Sequence, residues 1–206
     1  IWEAIELNAV QKLAEKFVPP HSPQLQTLAQ LQLQGQIQTL ALDLTNWRTE
    51  TPTNAPADAK KLPPAPTLPQ QGQIVATLQN ASAELSPWFD EPHLRLDQAT
   101  LDLNWQRATK GWRVNAKRIQ FNNPDATGEF SGNWQNADAD AASNPLGNIQ
   151  VSGRLQQAQL SSLHRYFPSK VPLKVRQYLK ASIEGGVAKD AQFKLSGALK
   201  HFPFVE

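Results

Sequence analysis

The chain has 206 residues, enough for one large domain or two small ones, and 20 basic residues against 18 acidic leave a formal charge of +2. That balance supplies no bulk field to recruit nucleic acid or an anionic membrane surface. With 40% hydrophobic residues, 16 prolines, 10 glycines and no cysteine, the composition excludes a collagen, a wholly disordered chain and a disulfide-built scaffold.

Residues 1–18, IWEAIELNAVQKLAEKFV, place Ile5, Val10, Leu13 and Phe17 near one helical face, and Pro19 and Pro20 stop the helix they predict. The next stretch, LQLQGQIQTLALDL (31–44), alternates Leu31, Leu33 and Ile37 with glutamines, slips in phase at Thr39, then continues with Leu40, Leu42 and Leu44. A period of two predicts a strand with one apolar and one wet face. Residues 49–72 are rich in Pro, Ala and Thr and read as a loop or linker of polyproline character.

Five further alternating runs follow: 73–79, 93–105, 111–121, 126–134 and 148–155. The run 93–105 slips between Leu96 and Ala99, and the run 111–121 slips between Ala116 and Ile119. Turn-like joints such as Asn122-Asn123-Pro124-Asp125 connect them, and short joints imply antiparallel neighbours, hence a meander. A one-residue slip needs a bulge to keep register, and a bulge bends its strand. A sheet bent mid-strand in several places curls into a trough.

The character then changes. LSSLHRYF (160–167) and PLKVRQYLKASIE (172–184) read as a helical pair, ended by Gly185-Gly186, before a last strand over 187–197. The order helix, Phe-Pro, glycine, strand echoes the beginning of the chain about 150 residues earlier, as a modular array would. The predicted organisation is a helix and the start of a β-groove over 1–45, a Pro-rich linker over 46–72, and a β-groove segment over 73–206. The fold class is mainly β (α+β): a strongly curved antiparallel meander with flanking helices. No run approaches the ~20 apolar residues of a membrane span. The chain opens on Ile1-Trp2-Glu3 without a signal-like segment and stops at Phe204-Val205-Glu206, so it reads as an excised fragment with any anchor outside it.

Catalytic chemistry finds little footing. His21, His93, His164 and His201 are scattered, and without cysteine a zinc site needs His and carboxylates alone. Asp97 and Asp102 fall on the wet side of a strand across a slip, where a solvated face explains them better than a paired acid and base. Ser162 and His164 lie close in sequence, but no nucleophile elbow or Gly-rich phosphate loop accompanies them. Lys60-Lys61 and Lys117-Arg118 are too sparse to track a phosphate backbone. No metal, cofactor, nucleic acid or catalytic residue is expected.

Trp105, Trp112, Phe130 and Trp134 run in phase with the aliphatic face. A closed core is the usual fate of such residues. A lining for an apolar ligand is the other reading, and periodicity alone leaves both open.

Over 151–204 the chain resembles the YhdP family of AsmA-like proteins of Gram-negative bacteria. Arg165-Tyr166-Phe167-Pro168, Gln177-Tyr178-Leu179, Gly185-Gly186-Val187, Leu195-Ser196-Gly197 and Phe202-Pro203-Phe204 carry the resemblance. Upstream, Trp88-Phe89, LRLDQATLDLNWQ (94–106) and Gly111-Trp112 extend it, so that 73–204 is covered well and 9–44 loosely. Phe167 and Tyr178 depart conservatively from the family's usual Leu and Trp.

The resemblance implies a periplasmic bridge-like protein whose inner-membrane anchor lies outside this chain. Phospholipid would move along an apolar β-groove between inner and outer membrane, its acyl chains being the partner, with neighbouring β-groove segments continuing the channel. The expected groove lining is Leu33, Ile37, Leu101, Leu103, Trp105, Trp112, Val114, Phe130, Ile149 and Val151. The helical pair at 160–184 would lie over or beside the groove as a cap or gate. The alternative is a structural or interaction module with a closed α+β core, and a carbohydrate hydrolase on a β-scaffold is a third reading.

Overall fold

The computed structural model describes residues 5–15, 29–45, 69–86, 88–108, 111–136, 144 and 146–201. In chain order these form β1 (Ile5–Glu6), α1 (Leu7–Glu15), β2 (Gln34–Thr45), β3 (Gln71–Glu84), β4 (His93–Arg107), β5 (Trp112–Asn122), β6 (Ala126–Gln135) and β7 (Asn148–Gln159). A 3-10 helix (Leu160–Tyr166), α2 (Leu173–Ser182), β8 (Val187–Ala198) and a 3-10 turn (Leu199–His201) complete them.

The strands make one open sheet whose order is the chain order, with every neighbouring pair antiparallel. The joints explain the order. In the β5–β6 joint, the Asn123 side-chain oxygen accepts the backbone N–H groups of Asp125 at 3.0 Å and Ala126 at 2.7 Å, closing an Asx turn too short for anything but a hairpin.

Two slips are bulges, as their phase requires. On β5, Leu103 faces Ala116 while Asp102 faces Arg118, so Lys117 is the extra residue, and the same point breaks the register to β6. On β2, Ile37 faces Leu78 and Thr39 faces Thr77, leaving Gln38 extra. Gln156 of β7 is extra against β6. Bulges add local bend and twist, consistent with a curved meander.

The slip in β4 is different, and here the expectation of a bulge is corrected. Gln79 faces Gln98 and Ala81 faces Leu96 in unbroken register, with Asn80 at φ +49° between them. Both strands change phase together, so no residue is left over. Asn is among the few residues that enter the left-handed region readily. Asp190, at φ +56°, does the same between β7 and β8.

Other boundaries also move. The helix read over 1–18 is α1 only over Leu7–Glu15, because Ile5 and Glu6 pair with Ile37 and Gln36 and the sheet takes the first turn. Phe17, Pro19 and Pro20 lie outside the described residues, as do 46–68 of the Pro-rich stretch. β3 begins at Gln71, inside that stretch, since Gln71 pairs with Gln106. The segment read as a helix over 160–167 is a 3-10 helix, with the Phe167 N–H bonded to the His164 carbonyl three residues back.

Candidate functional site: an apolar sheet face

Register sorts the strands into rows. Leu42, Ile74, Leu103, Ala116, Gly132, Val151 and Leu195 face one another in turn from β2 to β8. So do Leu40, Ala76, Leu101, Ile119, Phe130, Gly153 and Phe193. On one side of these run Leu44, Gly72, Trp105, Val114, Trp134, Ile149 and Gly197. On the other run Ile37, Leu78, Ala99, Phe121, Gly128, Leu155 and Ala191. Cross-strand partners share a face, so these four rows are one continuous apolar surface. At roughly 4.8 Å between strands and 6.7 Å between rows, it covers about 580 Å² in flat projection. That matches the largest apolar patch a typical soluble monomer leaves uncovered.

The face is not sealed. Among the described residues no large side chain is fully buried, and the buried apolar set is Ile37 with Ala76, Ala81, Ala99 and Ala158. Alanines are covered by taller neighbours, whereas Leu42 stays 53% exposed and Phe193 38%. α1 contacts β1 and β2, the 3-10 helix contacts β7 and α2, and no described helix packs broadly across the sheet.

Of the expected lining, Leu101, Leu103, Trp105, Val114, Phe130, Ile149 and Val151 all stand in these rows. Ile37 stands in one too, but β1 pairs beside it and it is only 6% exposed. Trp112 continues the β5 side beyond the rows, with the Arg107 guanidinium 5.8 Å from its ring centroid. Leu33 precedes β2 and lies outside the rows; its N–H is held at 2.9 Å by the Gln11 side chain.

Hydrophobic periodicity did not mark the glycines. A Cβ on Gly72 would lie 2.5 Å from the Trp105 ring, and one on Gly153 would lie 2.7 Å from both Phe130 Cβ and Phe193 Cε1. These rings lie down over the glycines of adjacent strands, which keeps the floor low and apolar. The indole N–H groups point off the floor to backbone carbonyls, Trp134 to Leu146 at 2.9 Å and Trp105 to Pro69 at 3.3 Å.

The opposite face is held by cross-strand polar pairs. Arg118 donates to Glu129 at 2.6 Å, Arg154 to Asp190 at 2.7 Å and Gln73 to Asp102 at 2.8 Å. A depression of about 710 Å³ is lined by Lys117, Arg118, Glu129, Arg154 and Lys194 together with Phe130, Gly153 and Phe193. Its two arginines, Arg118 and Arg154, stay exposed and are already paired with Glu129 and Asp190, so we read it as a hydrated dip rather than a ligand site.

The sheet end that carries the β3–β4 and β5–β6 joints has its own structure. The segment 160–183 crosses from β7 to these joints. Phe89 and Pro168 form a β-bridge, and the Ser169 N–H donates to the Trp88 carbonyl at 2.8 Å. Asp90 is ion-paired with Arg176. Glu91 lies 3.1 Å from His164 Nε2, 3.0 Å from Arg165 Nε and 3.8 Å from Lys180 Nζ. Asp125 accepts from the Tyr166 hydroxyl at 2.9 Å and from Arg165 at 3.2 Å, while Asn123 donates to the Tyr166 oxygen at 3.0 Å. Burial pushes the Tyr166 hydroxyl up to about 12, with the Asn123 hydrogen bond opposing and the neighbouring Asp125 carboxylate reinforcing the shift. Burial also acts to raise Asp125, but hydrogen bonds from Ser162, Tyr166 and Arg165 outweigh it and hold the carboxyl below its ordinary range.

Among the described residues no three His, Asp or Glu side chains converge as metal ligands, and no helix is long and apolar enough to cross a membrane. No curated protein and no solved structure matches the chain. The profile of the family described as YhdP protein matches residues 2–206, and the chain belongs to that family.

Proposed function

We propose that the chain is a segment of a lipid conduit in which phospholipid acyl chains lie on the apolar sheet face. Family membership suggests an AsmA-like lipid-transport role. The observation that carries the reading is the four-row apolar face across which no described helix packs broadly, leaving Leu40, Leu42 and Phe193 exposed. Each methylene removed from water contributes about 0.8 kcal/mol, so a chain of about 16 carbons gains up to about 12 kcal/mol. That is enough to offset departure from a bilayer without a dedicated head-group site.

Rows of Leu, Ile, Val and Phe offer many near-equal positions, and near-equal positions permit sliding rather than capture. The head group stays in water at the open side. The chain's place is the periplasm, with an anchor in the inner membrane and delivery to the outer membrane through regions beyond this one. β8 and the Gln38–Thr45 stretch of β2 have no further strand beside them among the described residues, so they are the edges on which neighbouring β-groove segments would continue the sheet. No catalytic role is assigned to any residue.

The test is organic extraction of the chain purified without detergent. Bound phospholipid near one or more per chain is the expected result. A chain that carries none, and takes up no fluorescent phospholipid from vesicles, defeats the proposal in favour of a structural module.

A further inference from the structure

The segment 160–183 is joined to the rest of the molecule in an unusual way. Neither the 3-10 helix nor α2 contains a buried residue. No core holds the segment down. What holds it are the ion pairs of Asp90, Glu91 and Asp125, the hydrogen bonds of the Tyr166 hydroxyl with Asn123 and Asp125, and the short backbone bridge at Phe89–Pro168 with its Ser169–Trp88 bond. Each of these pairs keeps at least one partner open to water (Asp90 53%, Glu91 44% and Arg165 49% exposed), and pairs screened in this way contribute little and weaken with salt. An element held this way opens without disturbing the sheet.

Both ends of the segment allow such movement. Gly185 has no atom within 4 Å of a Cβ position, and Gly186 sits at φ +112°, a conformation that glycine adopts freely. The Leu160 N–H donates to the Gly186 carbonyl at 3.0 Å, so the two ends of the segment meet at one point beside β7 and β8. A swing about that point is a hinge motion.

Beneath the segment is a cavity of about 430 Å³ between Arg165 and Tyr166 on one side and Leu85, Phe89, Leu94 and Pro124 on the other. Leu94 faces Ala83 across β3 and β4, and the next pair inward is Leu96 and Ala81, so the apolar surface runs from the rows into this cavity. A chamber with an apolar floor and a rim of Glu91, Arg95, Asp125 and Arg165 suits the end of an acyl chain with water close by.

We propose that 160–183 is a latched strap that closes the groove at this end, and that the cavity under it admits an acyl chain only when the latch opens. This rests on the lipid-conduit reading above. The strap is thus a gate along the rim of the groove formed by these strand ends, and the latch carboxylates Asp90, Glu91 and Asp125 set how often it opens.

The chain has no cysteine, so a single engineered pair reports cleanly. Phe89→Cys with Pro168→Cys joins the bridge partners, whose backbones already lie at strand-pairing distance, within the span a disulfide requires. The readout is transfer of fluorescent phospholipid from loaded chain to acceptor vesicles, measured in the same variant oxidised and reduced. Oxidation should slow transfer at least tenfold, with reduction restoring it. Asp90→Asn, which removes the pair with Arg176 and lies outside the cavity lining, should speed transfer severalfold while leaving the amount of lipid bound unchanged. Equal rates for the oxidised and reduced forms, with lipid bound in both, overturn the strap and leave the conduit intact. A parent chain that takes up no phospholipid removes the conduit and the strap together.

Discussion

Replacing Phe130 by aspartate separates an open apolar face from a sealed core. Phe130 stands between Ile119 and Gly153 in its row, part-buried, with its ring centroid 6.3 Å from that of Phe121 at an interplanar angle of 60°. Full burial of a Phe side chain contributes about 3 kcal/mol, so half-burial forfeits about 1.5 kcal/mol on truncation. The tilted ring pair adds about 1 kcal/mol. On an open face the new carboxylate reaches water, and the total stays near 2.5 kcal/mol. For a chain of this length that lowers the melting temperature by about 5–10 °C. In a sealed core the same carboxylate is desolvated and unpaired, at a further cost of several kcal/mol. The sum then approaches the whole stability of a domain, about 5–15 kcal/mol. Lipid responds differently. Displacing two or three methylenes from the surface loses about 2 kcal/mol, a roughly thirtyfold weaker affinity. The assay is a thermal melt beside a fluorescent-phospholipid titration, with Ser152→Asp on the polar face as the control that should change neither. A Phe130→Asp chain that fails to fold, from a parent that binds no lipid, refutes the reasoning.

Gly153→Val should lower the melting temperature by several degrees, because its Cβ would sit 2.6 Å from the Glu129 carbonyl oxygen and 2.7 Å from the Phe193 ring; overpacking of this kind costs about 1–3 kcal/mol. The contacts of the strap should show in the pH dependence of melting. Asp125 is lowered in the folded chain from an ordinary 3.8, so its contribution is present above that value and is lost as pH falls through the lower folded value. Tyr166 is raised from 10.0 to about 12, so its contribution is full below 10 and is lost as pH rises towards about 12. Tyr166→Phe should abolish the alkaline loss, and Asp125→Asn the acid one; melts whose pH profiles match the parent at both ends would contradict the assignment. His93→Ala, Asp97→Ala and Asp102→Ala should leave phospholipid binding within twofold of the parent, and a large loss in any of them would point to a polar site on the wet face.

Much of the sheet was legible along the chain because a strand writes its faces at a period of two. Leu101, Leu103 and Trp105, or Trp112, Val114 and Ala116, announce their shared side without reference to any partner, and the slip at Lys117-Arg118 announces its bulge. The Asn123 turn states its hairpin in the same local terms. The slip between Leu96 and Ala99 looked the same in the sequence, yet it is absorbed by a left-handed Asn80 on the neighbouring strand, and one strand cannot report what its partner does. Periodicity was equally silent on whether the apolar face is covered, since a sealed core and an open groove demand the same alternation. The strap depended on distance still more. Glu91 meets His164 across 73 residues and Asp125 meets Tyr166 across 41, and nothing near either residue marks the pairing. Local rules assign a side chain to a face; only the fold brings two faces, or two charges far apart in the chain, within the few ångströms at which packing and ion pairing act.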